Sequence, residues 1–231
     1  MYRVLHFSGD QRGLLAECQA LRYRVYHHDL GLDTPDLDHG AKLDIEERDE
    51  VCDFAAVRGE DGAIVGCIRM QPEGRTSFYA ELEFDLLGDT WTQARHVEGA
   101  RFAVTAEERG GPVPLFLFQA FRRYCRRAGA TRILSVAIIR GDEGDRAKLA
   151  QLTKLLYART NIDLGRGRPA RGYEIDPPTI AELETAPALD IETVSPMLRL
   201  LATRRTTLSS QPAYCRRFGT FNFLLSTRLG A

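Results

Sequence analysis

The chain has 231 residues, 44% apolar and 27% charged, with a formal net charge of -1. That composition argues against a disordered chain, and the length fits one domain or one domain with a C-terminal extension. Five scattered cysteines without paired spacing argue against a disulfide framework, and no apolar stretch reaches the ~18 residues of a membrane span. The near-zero net charge hides a division: residues 1–119 hold 12 Lys/Arg and 22 Asp/Glu, and residues 120–231 hold 19 and 10. The second half is suited to an acidic partner, or to pairing with the first half within one fold.

The N-terminus lacks the apolar core of a signal peptide, so the expected location is cytoplasmic. Apolar residues at helical spacing predict a helix from about Asp10 to His28, with Arg22 and Tyr26 one turn apart on one face and Gly31 as its stop. Asp33 to Asp53 reads as a long acidic loop punctuated by Pro35 and Gly40. Cys52–Arg58 and Ala63–Met70, joined by Gly59-Glu60-Asp61-Gly62, read as a hairpin. Phe78 to Leu87 reads as a short helix or an irregular segment. His96 to Val104 reads as a strand.

Arg109-Gly110-Gly111 is a glycine turn leading into a helix over Pro114–Arg127, with Gly129 just past its end. Ile133–Ile139 reads as a buried central strand, Gly144–Thr160 as a helix, and Gly165–Pro169 as a loop. Late strands are expected near Gly172–Ile175 and Phe218–Ser226. The order implies a mixed α/β fold whose sheet has parallel and antiparallel pairs.

The chemistry concentrates in Glu98-Gly99-Ala100-Arg101-Phe102-Ala103-Val104. A carboxylate on a strand can take a proton, and the helix N-terminus beyond Gly111 attracts anions. Group transfer from a phosphate-bearing donor fits this run. The turn holds Pro112 and Pro114, which donate no N–H, so it suits a single phosphodiester better than a pyrophosphate.

Arg22, Tyr26, Glu46, Asp49, Gly66-Cys67-Ile68-Arg69 and Glu98-Gly99-Ala100-Arg101-Phe102 occur in an order that resembles the acyl-carrier-protein-dependent N-acyltransferases of the GNAT superfamily. That group includes acyl-homoserine lactone synthases, ornithine-lipid N-acyltransferases and N-acyl amino acid synthases. Cys52-Asp53-Phe54-Ala55 and the run Pro212 to Thr220 resemble the ornithine-lipid and amino acid branch. Leu32 stands where the lactone synthases usually carry Trp. The resemblance spans roughly residues 15–225 and implies a single GNAT-like domain over 1–231.

It implies a fatty acyl group moved from acyl carrier protein to the amine of an amino acid, by direct attack in a ternary complex. Glu98 would be the general base, with Arg101 and Arg69 as the other catalytic residues. A buried carboxylate of raised pKa can take the proton of the attacking amine. Arg22, Tyr26, Glu46 and Asp49 would bind substrate, Asp49 taking the amine. Phe102, Ala103, Val104, Arg109, Gly110 and Gly111 would bind the donor, with an oxyanion-binding N–H near Phe102–Val104. For each charged residue the competing reading is plain salt bridging within the fold.

No tightly bound cofactor is expected; the co-substrate is the acyl-phosphopantetheine of acyl carrier protein, or acyl-CoA. Arg122, Arg123, Arg126 and Arg127 on one helix, with Arg166, Arg168 and Arg171, offer a docking face for the acidic carrier, or a plain solvated face. Peripheral membrane association is compatible with a lipid product; a nucleic-acid partner is not expected. The five histidines show no metal spacing, so no zinc role is expected, and His27 and His28 are placed at a helix C-terminus. Open alternatives are an acyl-CoA or acetyl-CoA N-acetyltransferase, a lactone synthase, and a non-catalytic module that binds carrier protein or an anionic polymer.

Overall fold

The computed structural model describes residues 1–34, 36–86, 94–191 and 196–230. In chain order the elements are β1 (Arg3–Ser8), α1 (Arg12–Tyr23) continuing as a π-helical turn (Arg24–Asp29), β2 (Leu37–Asp38), β3 (Leu43–Asp44), β4 (Asp53–Arg58) and β5 (Ile64–Pro72). Then follow β6 (Phe84–Leu86), β7 (His96–Val104), α2 (Val113–Arg127), β8 (Arg132–Arg140), α3 (Arg146–Arg159), β9 (Asn161–Ile162) and β10 (Gly167–Pro169). The chain closes with α4 (Ile180–Thr185), α5 (Pro196–Leu201), β11 (Thr206–Leu208), β12 (Ala213–Cys215) and β13 (Thr220–Arg228). The fold is mixed α/β, with β9 and β11 parallel and the other registered pairs antiparallel.

The chain forms two compact units: Met1–Ser77 with Val97–Gly129, and Phe78–His96 with Ala130–Ala231. In the first, strands pair in the order β1-β4-β5-β7. Alternation along these strands gives the sheet two faces. Phe7, Phe54, Ala56, Cys67 and Ala103 pack with Leu15, Cys18 and Leu21 of α1 and with Val25 of the π-helical turn. The other face receives α2, which approaches closely because two strand positions lack side chains. A Cβ at Gly66 would lie 2.6 Å from Val113, and one at Gly99 would lie 2.7 Å from the Phe121 ring. The amphipathic α2 buries Val113, Leu117, Ala120, Phe121 and Cys125.

In the second unit the long β8–β13 pair is the backbone of the sheet, flanked by β11, β9 and β12. Leu149, Leu152 and Leu156 of α3 pack with Phe221, Phe223 and Leu225. Leu134 and Leu224 pack with Phe78, Ala80 and Phe84.

Several expectations need correction. Asp33–Asp53 is not a structureless loop: it folds into the β2–β3 ladder and a 3-10 turn over Glu47–Val51. Pro35 and Leu87 lie outside the described residues. Phe78–Leu86 is a 3-10 turn followed by β6, and part of the expected Gly165–Pro169 loop is β10, its partner. The run Ile133–Ile139 is not buried throughout, since Ile138 faces out. Gly172–Ile175 forms one isolated bridge, Glu174 with Ala213, rather than a strand. β1 carries no clear strand signal in the sequence, since half of its six residues are exposed and the apolar pattern is weak.

Candidate active site

The charged residues of the first unit meet on the α1 face of its sheet. Arg22 is fully buried; its Nε lies 2.7 Å from Asp44 Oδ2, and its Nη1 donates to Asp49 Oδ1 at 3.1 Å. Arg69 pairs with Glu46, and its Nη1 also donates to Asp49 Oδ1 at 3.2 Å. Gln19 completes Asp49, donating to Oδ2 at 3.1 Å. Arg101 reaches three acids: Glu46 at 3.1 Å, Asp44 at 3.1 Å and Asp36 at 2.7 Å. Arg48 closes on Glu46 at 3.0 Å. Buried charges survive only when paired this densely.

A bulge in β7 places Arg101. Cys67 pairs with Ala103 and Arg69 with Ala100, so Ile68 alone opposes both Arg101 and Phe102. Arg101 takes a left-handed conformation, φ 53°, which costs a branched-free L-residue roughly 1 kcal/mol. In a regular strand, residues three apart point to opposite faces. The bulge turns Arg101 onto the face that carries Arg69, Gln71 and Glu98. Glu98 is 2% exposed and sits opposite Gln71.

Burial and pairing set the protonation of the network. Burial pushes the Asp49 carboxyl up, but Arg22 and Arg69 outweigh it and hold it below the ordinary range. Glu46 is lowered in the same way, burial being overcome by Arg69 and Arg101. For Asp44, burial outweighs Arg101 and Arg22, and its carboxyl is raised. Burial would lower Arg22, yet Asp44 and Asp49 raise it, so it stays charged. Burial also raises the Tyr26 phenol, which lies in the field of Arg101, Asp44 and Arg22. Arg69 Nε and Nη2 are buried without a hydrogen-bond partner among the described residues.

The structure thus brings together Arg22, Tyr26, Glu46, Asp49, Arg69 and Arg101. Asp44, Asp36, Gln19 and Arg48 belong to the same network and were not singled out in sequence. Both Asp49 oxygens are already engaged by Arg22, Arg69 and Gln19, which weighs against it as the amine site. The Cys52-Asp53-Phe54 run has a structural role. Asp53 accepts from Tyr124 of α2 at 2.6 Å and pairs with Arg75 at 3.0 Å, and Phe54 stacks on Phe7.

Before α2, Gly111 N–H donates to the Glu108 carbonyl at 3.1 Å, and the Glu108 carboxylate holds Tyr2 at 2.8 Å. Arg109 Nε donates to Val104 O at 3.1 Å, and the side chain pairs with Asp29. Phe102 is half-buried, and Ala103 and Val104 are buried. All five cysteines are buried and unbridged. Burial pushes Cys52 up to about 11 and Cys125 up to about 12, so neither is a thiolate nucleophile near neutral pH.

An acetyltransferase (GNAT) domain matches residues 21–119, a stretch that holds all of this network but Gln19. Over that stretch, somewhat less than half of the chain, the sequence is that of a GNAT acyltransferase domain. The solved structure of TofI in a ternary complex with an inhibitor and MTA superposes with TM-score 0.53 at 17% identity, covering 99% of this chain and 91% of TofI. The CoA-dependent acyl-homoserine lactone synthase BjaI, with SAM and isopentyl-CoA, superposes with TM-score 0.51 at 15% identity, covering 100% of this chain and 84% of BjaI. At these identities the likeness is one of fold. No curated protein matches the chain in sequence. Among the described residues no helix is long and apolar enough to cross a membrane.

Proposed function

We propose that the enzyme moves a fatty acyl group from the phosphopantetheine of acyl carrier protein to the amine of an amino acid. The observation that carries this reading is Arg69, whose buried Nε and Nη2 lack partners on the sheet face that also bears Glu98. A guanidinium with open donors binds a carboxylate, which a free amino acid supplies. Glu98 takes the proton of the amine as nitrogen attacks the thioester carbonyl; the C–N bond forms, the C–S bond breaks, and the pantetheine sulfur leaves and is protonated. The β7 bulge interrupts the ladder at Arg101–Phe102, where a main-chain N–H can serve the oxyanion. The raised cysteine thiols support direct attack without an acyl-enzyme. Arg22, Asp49 and Asp44 position Arg69 and Arg101 rather than touch substrate.

The donor reading rests on the turn before α2. Pro112 and Pro114 donate nothing, and Gly111 N–H is committed to Glu108. Few donors remain for a nucleotide pyrophosphate, and a single phosphodiester needs fewer. A second reading is favoured by the fold of BjaI: acyl-homoserine lactone synthesis from SAM with an acyl-CoA donor.

Mass spectrometry of lipids from cells expressing the chain, beside Glu98→Gln, tests both. New open-chain N-acyl amino acids, reduced about 100-fold or more in the variant, are expected. N-acyl lactones instead would select the second reading, and undiminished product in Glu98→Gln would remove Glu98 as the base. Purified enzyme given acyl carrier protein or CoA thioesters then separates the donors.

A further inference from the structure

The end of α1 gathers groups that the acyl-transfer chemistry does not use. His27 lies in the π-helical turn, and the chain then doubles back past Gly31 to bring Asp33 and His39 beside it. The ligand atoms of His27, Asp33 and His39 all lie within 4.8 Å of one another. The two imidazole rings stand 4.9 Å apart between centroids. No local motif marks these residues in the sequence: they lie six apart in turn and meet only in the fold.

We propose that His27, Asp33 and His39 form a binding site for a divalent transition-metal ion, zinc being the probe. Two imidazoles and one carboxylate are a donor set for zinc and its neighbours, with water in the fourth position. The outer contacts favour this use. His27 Nδ1 faces the Leu32 carbonyl at 3.4 Å; with the proton on Nδ1, the Nε2 lone pair is left for a metal. His39 Nδ1 meets the Tyr23 hydroxyl at 3.0 Å, and its Nε2 lies 3.0 Å from Asp33 Oδ1. With the proton on Nδ1, His39 donates to the tyrosine oxygen and Nε2 is released to a metal. Tetrahedral ligation at ~2.0–2.1 Å sets ligand atoms about 3.3 Å apart, so His39 and Asp33 need only a small opening. The negative end of a helix dipole also lies here, and it favours a cation.

The ion would fasten Asp33 and His39 to the end of α1. Asp36, in that segment, pairs with Arg101 at 2.7 Å. Metal binding would therefore steady one partner of the catalytic network without entering the reaction.

The test uses the full chain, freed of metal with a chelator and titrated with Zn²⁺ against a chromophoric chelator. One equivalent is expected, with the unfolding midpoint raised about 5 °C at a hundredfold excess over Kd. His39→Gln and Asp33→Asn change exposed side chains, so the fold is retained, and each weakens binding tenfold or more. Tyr23→Phe removes only the outer hydroxyl and weakens binding about tenfold. His28→Gln, on the same turn, leaves binding unchanged. Absence of one-equivalent binding in the wild type, its persistence in the His39→Gln/Asp33→Asn double variant, or its loss in His28→Gln alone would overturn the proposal. A hydrogen-bonded Tyr23–His39–Asp33 staple would then be the whole role of the cluster.

Discussion

Arg101 shows how one residue joins strain to electrostatics. Its left-handed backbone is tolerated because the guanidinium then satisfies Glu46, Asp44 and Asp36. Arg101→Ala leaves those carboxylates facing one another, and a loss of about 3 kcal/mol in urea unfolding is expected, together with loss of acyl transfer. Arg101→Gly relieves the backbone but not the charge, so it should recover less than half of that loss; full recovery would show that backbone strain, not pairing, dominates. The same network shapes the acid response. Burial raises Glu46 and Asp49, but their arginine partners outweigh it and hold both low in the fold. Their stabilisation is therefore fully present above the ordinary carboxylate range and is lost as pH falls through the depressed folded values. Asp44 has the opposite sign: its raised carboxyl weakens the fold as pH rises from its ordinary value through the folded one. Urea midpoints measured from pH 6 downward should show a flatter acid limb in Asp49→Asn. In Asp44→Asn that limb should persist while the opposing slope above it disappears.

At the scale of elements, the contact of β7 with α2 depends on the absence of a side chain at position 99. Gly99→Ala would drive a methyl into the Phe121 ring, and overpacking of this kind costs about 1–3 kcal/mol. Combining it with Phe121→Leu should restore part of the loss, a non-additivity read from thermal unfolding of the four proteins in the cycle; strict additivity would mean that the two do not meet. Elements with strong local signals were legible in the sequence. The bounds of β7 were read as His96–Val104, and the hairpin β4–β5 and helix α2 were read from turn glycines, proline and periodicity. The bulge was not, because the run Gly99 to Phe102 carries no local mark of an extra residue; it exists to fit β5 and the acids beyond it. Five network residues, Arg22, Glu46, Asp49, Arg69 and Arg101, were named from the sequence, whereas Asp44 was lost in an acidic run where only its contacts with Arg22 and Arg101 distinguish it. The histidine cluster was invisible for the same reason, since His27 and His39 meet only after the chain turns back.

At the scale of the whole molecule, the separation of charge along the chain bears on the acyl donor. Residues 1–119 carry ten more acids than bases and residues 120–231 nine more bases than acids. In the first half, Arg22, Arg69 and Arg101 are enclosed by acids of the same half: Asp36, Asp44, Glu46 and Asp49. The basic residues of α2 are differently placed: Arg123, Arg126 and Arg127 are exposed, while Arg122 is half-buried. If the donor is the acyl carrier protein proposed above, these exposed arginines are its docking surface, and such contacts set encounter more than chemistry. Reversing Arg123, Arg126 and Arg127 to Glu should raise KM for an acyl-carrier-protein donor about tenfold while leaving kcat and the KM for a short acyl-pantetheine donor unchanged. Added salt should raise the wild-type KM for the carrier donor and have little effect on the variant, because screening acts on charges the variant no longer presents. Equal loss with both donors would place the arginines in the fold's stability rather than in docking, and an unchanged KM with both would move the carrier's surface away from α2.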